Sequence, residues 1–266
     1  MTHIVQFSGG KDSTALVLWA KEQGWPFMAV FMDTGWESPV TLEYVQHINE
    51  TVLAGQLVTV KSAKYGGMVD LVRQRKIVPS GRMRFCTEEL KVKPFVEWMN
   101  EQDFDTATVY QGIRANESRA RSEMPRKAWE PLYEAWIERP LFDWTAEQVF
   151  EMHAKHGVEP NPLYMLGHSR VGCFPCVMTS LGELRRISRM TPGIWDRIAE
   201  VEEAAQEGSS WFRCDRIPET LQKGRTPTGE PYPRWQDVKF YVTRPDEPTF
   251  FDDEPRSCLS VYNLCE

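Results

Sequence analysis

A glycine-rich loop near the start of the chain contains residue types that bind phosphate. Its six residues are Ser8, Gly9, Gly10, Lys11, Asp12 and Ser13. Glycine lets the backbone turn sharply and approach an anion, and the N–H groups and dipole of a helix start neutralise negative charge. Lys11 adds a full charge, and the serines add hydroxyl donors. The loop lacks the four-residue spacer of a Walker A loop, so it is a phosphate loop of another kind.

A second set of residues with chemical potential is the cysteines. Cys173 and Cys176 form a C-x-x-C pair, and Pro175 between them stiffens the turn so that both thiolates can point the same way. The spacing fits a redox dithiol, half a zinc site or half an iron–sulfur site, and does not choose among them. The plain alternative for Cys86 is a small buried hydrophobe, and Cys214 is either a candidate metal ligand or incidental.

The elements that must position these residues alternate between short apolar runs and amphipathic stretches. Strands are predicted at 4–7, 27–32, 57–60, 106–110 and 238–243, and helices at 13–23, 41–53, 68–76, 88–101 and 182–207. The last helix is broken at Pro192 and Gly193 into a pair. Alternating strands and helices imply an α/β fold, a doubly wound parallel sheet with flanking helices and right-handed crossovers. The loop after the second strand then lies at the carboxyl edge, where open α/β sheets bind ligands.

Composition indicates one large core with an appendage. The chain has 266 residues, of which 41% are hydrophobic and 26% charged, enough for an α/β core. We predict an α/β nucleotide-binding domain at 1–165 and a small cysteine-containing region at 166–266. Neither a membrane-length apolar run nor a signal-peptide pattern is present, so we expect a cytoplasmic protein without a membrane partner. Cysteines there are expected to be reduced, metal-bound or catalytic.

The charge distribution bears on possible polyanionic partners. A net charge of −7 argues against nucleic-acid binding by the whole surface. Basic residues nevertheless cluster at 73–84, 114–127 and 185–189. We interpret these clusters as solvated helix faces and anion-site residues that serve one nucleotide. The alternative is a basic rim that admits a nucleic-acid strand, with three tryptophans available for stacking, Trp129, Trp136 and Trp144.

The histidines give weaker evidence of function than the cysteines do. His153 and His156 lie three apart on a predicted helix, a spacing compatible with a metal pair, but a solvated helix face is the favoured interpretation. His168 and Arg170 precede the cysteine pair, and we expect one of them to face a ligand there. No nucleophile elbow with a Ser, His and Asp order is present in the sequence, so hydrolase chemistry of that type has no support.

The loop at 8–13 resembles the PP-loop of ATP pyrophosphatases and sulfonucleotide reductases, the adenine nucleotide alpha hydrolase-like group. Further segments match cluster-bearing members in the same order. They are 33–35 (Asp-Thr-Gly), 84–94, 112–121, 140–145, 161–164 (Asn-Pro-Leu-Tyr) and 172–176 (Gly-Cys-Phe-Pro-Cys). The resemblance spans about residues 4–190 and implies a parallel sheet flanked by helices.

The resemblance also implies which residues act on a nucleotide. Those expected to bind it are Ser8, Gly9, Gly10, Lys11, Asp12, Ser13, Asp33, Thr34, Gly35, Gly112, Arg114, Ser118 and Arg121. The arginine forks suit phosphate or sulfate oxygens, which they bind in pairs. The expected catalytic residues are Lys11, Asp12 and Cys86.

A [4Fe–4S] cluster is a further implication of the resemblance. The candidate metal ligands are Cys86, Cys173, Cys176, Cys258 and Cys265. Iron–sulfur adenylylsulfate reductases have two adjacent cysteines where this chain has Phe85 and Cys86, so one ligand of that pattern is missing. The fourth ligand is a tail cysteine, Cys214 or no protein residue, as in several PP-loop tRNA thiolases. Alternatively, the C-x-x-C pair and both tail cysteines bind the cluster, and Cys86 remains free near the nucleotide.

Two mechanisms fit such a site. In the first, which we favour, ATP with Mg²⁺ adenylates an acceptor and sulfur then replaces AMP, as in DNA phosphorothioation and tRNA thiolation enzymes. Its partners are a sulfur donor such as a cysteine desulfurase and a possible nucleic-acid acceptor. In the second, adenylylsulfate or its 3′-phosphorylated form (APS or PAPS) is reduced to sulfite with a thioredoxin-like reductant. Reductases of that kind end in Glu-Cys-Gly-Leu-His, whereas residues 263–266 are Asn-Leu-Cys-Glu.

A third interpretation is a nucleotide-sensing module without turnover. The intact Lys11 and Asp33 make it the least favoured of the three. The pattern leaves self-association open, and an oligomer is compatible with it.

Overall fold

The computed structural model describes residues 1–191, 193–212 and 214–244, apart from the side chain of Cys214. The strands are β1 (Thr2–Phe7), β2 (Met28–Asp33), β3 (Leu57–Lys61), β4 (Ala107–Tyr110), β5 (Lys127–Glu130), β6 (Ala135–Glu138), β7 (Gly224–Arg225) and β8 (Pro231–Tyr232). The helices are α1 (Lys11–Glu22), α2 (Pro39–Thr51), α3 (Met68–Arg75), α4 (Phe85–Thr87), α5 (Lys93–Glu101), α6 (Arg119–Ser122), α7 (Ala146–Lys155), α8 (Leu181–Met190), α9 (Ile194–Ala204) and α10 (Trp235–Thr243).

The main sheet has six strands in the order β3-β2-β1-β4-β6-β5. Neighbours run parallel except β5, which forms an antiparallel edge hairpin with β6. Ile4 in β1 is paired with Met28 in β2 on one side and with Val109 in β4 on the other. The chain runs from β1 through β2 to β3 on one side and then continues at β4 on the other side of β1. The strand order therefore changes direction at the boundary between β1 and β4. Such a switch point opens a crevice at the carboxyl edge of the strands.

Helices cover both faces of this sheet, which confirms the predicted doubly wound α/β fold. Adjacent residues of β1 point to opposite faces. Val5 packs in a core with residues of α1, α2 and α7, whereas Ile4 packs with Phe95 and Met99 of α5. The strands therefore hold their carboxyl ends, and the loops that follow them, in fixed relative positions.

A third apolar cluster packs the later helices α8, α9 and α10 against α3 and the loop after β2. It includes Leu71 of α3, Leu184 of α8, Ile198 of α9 and Val238 of α10, all nearly inaccessible to solvent. Trp36, from the loop after β2, belongs to the same cluster. Packing therefore crosses the predicted boundary at residue 165, and the two-part division stays a prediction. Among the described residues, no helix has both the length and the apolarity required to span a membrane.

The predicted strand at 238–243 is wrong, because these residues belong to helix α10. The β-branched and aromatic residues favour a strand by propensity, but Val238, Tyr241 and Val242 are buried at helical spacing. Asp237 accepts hydrogen bonds from the backbone N–H groups of Lys223 and Arg234, both at 3.0 Å. Tertiary burial and this cap stabilise the helix over the strand.

Two other elements differ from the sequence predictions. The predicted helix at 88–101 is divided into a π-helical turn, Glu88–Val92, and α5, with the short helix α4 before them. The β5–β6 hairpin had no prediction, since its strands are four residues long and mix charged with apolar side chains. The predicted helical pair is confirmed as α8 and α9, interrupted between residues 190 and 194.

Candidate functional site

A cavity of about 270 Å³ lies where the loops after β1, β2 and β4 meet the cysteine-containing segments. The glycine-rich loop, hereafter the PP-loop (residues 8–13), forms one part of its wall, with every residue except Gly9 on the lining. Cys86, Cys173 and Cys176 form another part. The sequence motifs therefore converge on one space, although 90 residues separate the first cysteine of this set from the last.

The PP-loop owes its shape to glycine and to internal hydrogen bonds. Gly9 has φ of +74°, and a Cβ there would lie 2.9 Å from Cγ2 of Val45. Ser13 Oγ accepts a hydrogen bond from the Ser8 N–H at 3.1 Å and donates to the Gly10 carbonyl at 3.0 Å. The loop is therefore closed on itself before any ligand binds, and α1 begins within it, at Lys11.

A buried charge network underlies the PP-loop. The Lys11 ammonium lies 3.2 Å from Asp12 Oδ2, and Arg114 Nε lies 2.6 Å from Asp12 Oδ1. The Arg114 side chain is fully buried and is not on the cavity lining. Burial raises the pKa of Asp12, but the charges of Lys11 and Arg114 outweigh it and hold the pKa below its usual value. Asp12 is therefore a carboxylate that fixes both cations, with Arg114 beneath the loop.

The Asp-Thr-Gly segment lies at the end of β2, and only Thr34 lines the cavity. The Thr34 hydroxyl donates to Glu37 Oε1 at 2.7 Å. Asp33 pairs with Lys61 at 2.8 Å and accepts the Gly35 N–H at 2.8 Å. These contacts outweigh burial and lower the pKa of Asp33. Asp33 thus stabilises the turn from outside the cavity.

The segment after β4 contributes Gly112, Glu117 and Arg121 to the cavity lining. Glu117 and Arg121 form an ion pair, which orients the guanidinium. Ser118 caps α6 by accepting the Arg121 N–H at 3.3 Å, and it does not line the cavity. Of the two predicted arginines of this segment, Arg121 lines the cavity and Arg114 does not.

Gly112, in the loop after β4, lies directly against the backbone of the PP-loop. A Cβ at this position would lie 3.0 Å from the Asp12 carbonyl oxygen and 3.2 Å from Ser13 Cα. Gly112→Ala is expected to lower the free energy of unfolding by about 1–3 kcal/mol, because backbone atoms must shift to make room. Denaturant unfolding measures this change. Gly193→Ala is the matched control, since a Cβ there meets nothing within 4 Å, and an equal loss in both variants would contradict the argument.

Three buried side chains from residues 153–164 hold the PP-loop backbone, and the sequence analysis assigned none of them this role. The Asn161 amide donates to the Gly9 carbonyl at 3.1 Å, and the Tyr164 hydroxyl accepts the Lys11 N–H at 2.9 Å. His153 Nε2 lies 2.9 Å from the Lys11 carbonyl oxygen. The Asn-Pro-Leu-Tyr motif was a visible signal, but its contacts to a loop some 150 positions away were not.

The solvated-face interpretation of the two histidines is wrong for His153, which is 1% exposed. Helix α7 packs on α1 and turns this ring inward, where burial lowers the pKa of His153. His156 lies on the outer side, with Nε2 2.7 Å from Glu22 Oε1. The two rings therefore do not form a metal pair.

The three described thiols are free and partly buried. Burial, followed by the neighbouring Cys173 sulfur, raises the pKa of both Cys86 and Cys176. Lys91 lies in the matching segment 84–94 but was not among the predicted site residues, and it also lines the cavity. The Cys173 sulfur and then the Glu37 carboxylate raise the pKa of Lys91 against the effect of burial. A fixed ammonium therefore faces the sulfur-rich part of the wall.

The three described thiols do not fit a site for a single metal ion. In the described part of the chain, no three His, Cys, Asp or Glu side chains are arranged around a single metal ion. A zinc site built from the three thiols therefore does not fit. Each cysteine of a [4Fe–4S] cluster binds a separate iron, so three thiols spread around one cavity fit a cluster better. Cys258 and Cys265, two predicted ligands, lie outside the described residues.

The cysteine turn is attached directly to the loop after β2. The Phe174 N–H donates to the Trp36 carbonyl at 2.8 Å, and the Trp36 indole donates to the Pro175 carbonyl at 2.9 Å. The Arg197 guanidinium lies over the Trp36 ring at 4.4 Å and donates to the Phe174 carbonyl at 3.1 Å. The loop after β2 and the cysteine turn on the cavity wall therefore form one unit.

The remaining predicted candidates separate in space. Arg170 lines the cavity, whereas His168 is buried behind the cysteine turn. Trp129 and Trp136 are exposed and pack edge to face on the β5–β6 hairpin. Trp144 packs instead against the core beneath α1 and α7. The three tryptophans do not form a single stacking surface.

The sequence profile of the phosphoadenosine phosphosulfate reductase domain matches residues 2–179, more than half of the chain. The chain belongs to this family. A crystal structure of phosphoadenylyl-sulfate (PAPS) reductase from Candida auris, a phosphate complex, shares the fold with a TM-score of 0.53 and 19% identity. That alignment covers 66% of this chain and 83% of the Candida chain.

Proteins similar in sequence to this chain differ in length. An uncharacterized 37.8 kDa protein of Escherichia phage 186 is 31% identical, over 79% of this chain and 78% of its own length. An uncharacterized protein of Methanocaldococcus jannaschii is 29% identical over 79% of this chain, which spans only 44% of that protein. The adenosine 5′-phosphosulfate reductase of Streptomyces coelicolor is 30% identical over 60% of this chain and 66% of its own length.

Proposed function

We propose that this PAPS reductase-family chain binds ATP at the PP-loop, adenylates an oxygen of an acceptor and serves sulfur transfer to that acceptor. The observation that carries the proposal is that the PP-loop and three free thiols line the same cavity. An adenylate formed at one wall then lies beside sulfur ligands at the other. Proximity of this kind replaces a bimolecular encounter by reaction within one complex.

The chain's own residues provide most of the first step. The acceptor oxygen attacks the α-phosphorus, the bond from that phosphorus to the bridging oxygen breaks, and pyrophosphate leaves. Lys11 and the PP-loop donors offset the negative charge that develops on pyrophosphate. Mg²⁺ enters as the counter-ion of ATP. Asp12, held by Lys11 and Arg114, keeps the ammonium in place rather than removing a proton.

In the second step, a sulfide-level sulfur attacks the adenylated atom of the acceptor, and AMP leaves with the original oxygen. Cys86, Cys173 and Cys176 are the residues that would hold a [4Fe–4S] cluster, with Lys91 beside Cys173 to offset thiolate charge. Such a cluster, when bound, supplies iron that accepts sulfur ligands or electrons. A sulfur donor such as a cysteine desulfurase is the expected partner, together with a thiol reductant that supplies the two electrons needed to bring persulfide sulfur to the sulfide level. A nucleic acid is the candidate acceptor.

Sulfonucleotide reduction is the second candidate, favoured by the 30% identity to the Streptomyces coelicolor adenosine 5′-phosphosulfate reductase. Here the PP-loop holds the phosphosulfate, and a thiolate attacks its sulfur while the nucleotide leaves. A thiol reductant of the thioredoxin type then releases sulfite. Phe85 stands where the cluster-bearing reductases have the first of two adjacent cysteines, which favours the first candidate.

One product analysis tests both candidates. Anaerobically purified protein is incubated with Mg²⁺ and ATP, or with each sulfonucleotide and a thiol, and the products are separated by chromatography. Release of AMP and pyrophosphate from ATP is the expected result. Sulfite from a sulfonucleotide with no ATP cleavage would establish the second candidate instead. Binding of ATP with no product under either condition would overturn both and leave the sensing module.

The cluster assignment makes a separate prediction. After anaerobic purification, Cys86→Ser, Cys173→Ser and Cys176→Ser are each expected to lower iron per chain by more than half, because each removes a ligand. Iron and acid-labile sulfide are measured together with the visible absorption spectrum. Cys258→Ser and Cys265→Ser locate the fourth ligand, since unchanged iron in both would exclude a tail ligand. Wild-type iron in the first three variants would contradict the cluster.

A further inference from the structure

Tyr164 is a buried polar side chain on the cavity wall that neither mechanism above employs. It ends the Pro162–Tyr164 turn, is 3% exposed and lines the cavity beside the PP-loop. Its hydroxyl lies 3.4 Å from the position that a Cβ on Gly10 would occupy. The PP-loop backbone therefore passes directly over the phenol oxygen.

The hydroxyl has two hydrogen-bonding functions, and the protein satisfies one of them. Its oxygen accepts the Lys11 N–H at 2.9 Å. Within the part of the chain that the structure describes, no group accepts the hydrogen of the same hydroxyl. A buried donor without an acceptor costs free energy, so such groups in folded proteins point toward a ligand or water.

The surroundings of this O–H indicate which ligand it meets. The Lys11 ammonium lies over the Tyr164 ring, 5.6 Å from its centroid, so the cation and the phenol face the same space. Burial raises the pKa of Tyr164 well above its usual value, and the phenol therefore keeps its proton throughout the working pH range. A neutral donor next to a fixed cation suits an anionic oxygen.

We propose that the Tyr164 hydroxyl donates to a phosphate oxygen of the nucleotide while it holds the Lys11 N–H, which makes Tyr164 a binding residue of the PP-loop site. The inference rests on the proposed function only in taking the PP-loop as the phosphate site. The same side chain then shapes the loop and recognises the anion, so loop geometry and phosphate binding are coupled through one oxygen atom.

The test uses inorganic pyrophosphate as the probe and isothermal titration calorimetry on the full chain. Tyr164→Phe is expected to weaken pyrophosphate binding about tenfold or more, the effect of one hydrogen bond to a charged group. Tyr44→Phe is the matched control. That tyrosine is also buried, and its hydroxyl donates to the Glu159 carbonyl at 2.8 Å, but it does not line the cavity. We expect Tyr44→Phe to bind pyrophosphate like the wild type.

The outcomes separate this inference from the proposed function. If Lys11→Ala weakens binding and a folded Tyr164→Phe does not, the Tyr164 inference is overturned and the PP-loop remains the phosphate site. If neither variant weakens binding, the phosphate site itself is wrong. Should Tyr164→Phe fail to fold, 3-fluorotyrosine at position 164 replaces it. This residue keeps the shape and is a stronger donor, so tighter pyrophosphate binding supports the inference and unchanged binding overturns it.

Discussion

Replacing Lys11 with alanine is expected to lower the rate of AMP and pyrophosphate release by about 100- to 1,000-fold. The ammonium lies on the cavity wall, 6% exposed, where low dielectric strengthens its attraction to the charge that develops on the leaving group. Asp12 keeps its 2.6 Å contact with Arg114 after the substitution, so the fold is expected to persist. Single-turnover kinetics and thermal unfolding measure the two effects.

The chain offers a matched control for this experiment on the same helix. Lys21, in the last turn of α1, is exposed and donates to the Val52 carbonyl at 3.3 Å, away from the cavity. Lys21→Ala should react at the wild-type rate. Turnover by Lys11→Ala within a few-fold of wild type would remove the PP-loop lysine from the mechanism.

The second large effect concerns stability and lies beneath the PP-loop. Arg114→Met is expected to lower the free energy of unfolding by about 3 kcal/mol, because it removes the buried one of the two cations that hold the mostly buried Asp12 carboxylate. Asp12→Asn/Arg114→Met removes the carboxylate charge as well, which Lys11 alone would otherwise offset. The double variant should therefore lose less than the sum of the two single losses. Urea unfolding of the wild type, Asp12→Asn, Arg114→Met and the double variant gives the four free energies of this double-mutant cycle.

The same pair has a predictable pH dependence. The pKa of Asp12 is lower in the folded protein, so its stabilisation is present above the unfolded pKa and is lost as pH falls through the folded value. Arg114→Met raises the folded pKa toward the unfolded one and should flatten this acid-side loss. A variant that keeps the wild-type acid profile would show that Arg114 does not set the ionisation of Asp12.

Much of the fold and of the site could be predicted from local sequence. The strands that lead into the PP-loop and into Thr34 are short apolar runs followed by glycine, and periodicity locates them well. Placing Lys11 and Thr34 at one edge needs only the rule that parallel strands end at the same edge of a sheet. Cys86 lies in α4, after helix α3, so its place on the cavity wall does not follow from that rule.

The parts that were missed depend on contacts between distant segments. The inward ring of His153 follows from the packing of α7 on α1, which helix periodicity alone does not specify. Helix α10 was predicted as a strand because propensity was weighed without its buried face. Arg114 was expected on the ligand, whereas the structure places it against Asp12, a pairing 102 positions long that no local pattern contains.

The attachment of the cysteine turn to the β2 loop has a consequence for assembly order. Trp36 and Pro175 are 139 positions apart in the chain, and contacts of such separation form late because loop closure costs entropy before it is compensated. We therefore expect the thiols to be gathered only after the sheet edge exists, so that the proposed cluster would be inserted into a finished scaffold. If the proposed cluster is present, we expect iron removed by chelation to be restored without passage through the unfolded state, which would make the centre repairable after oxidative loss.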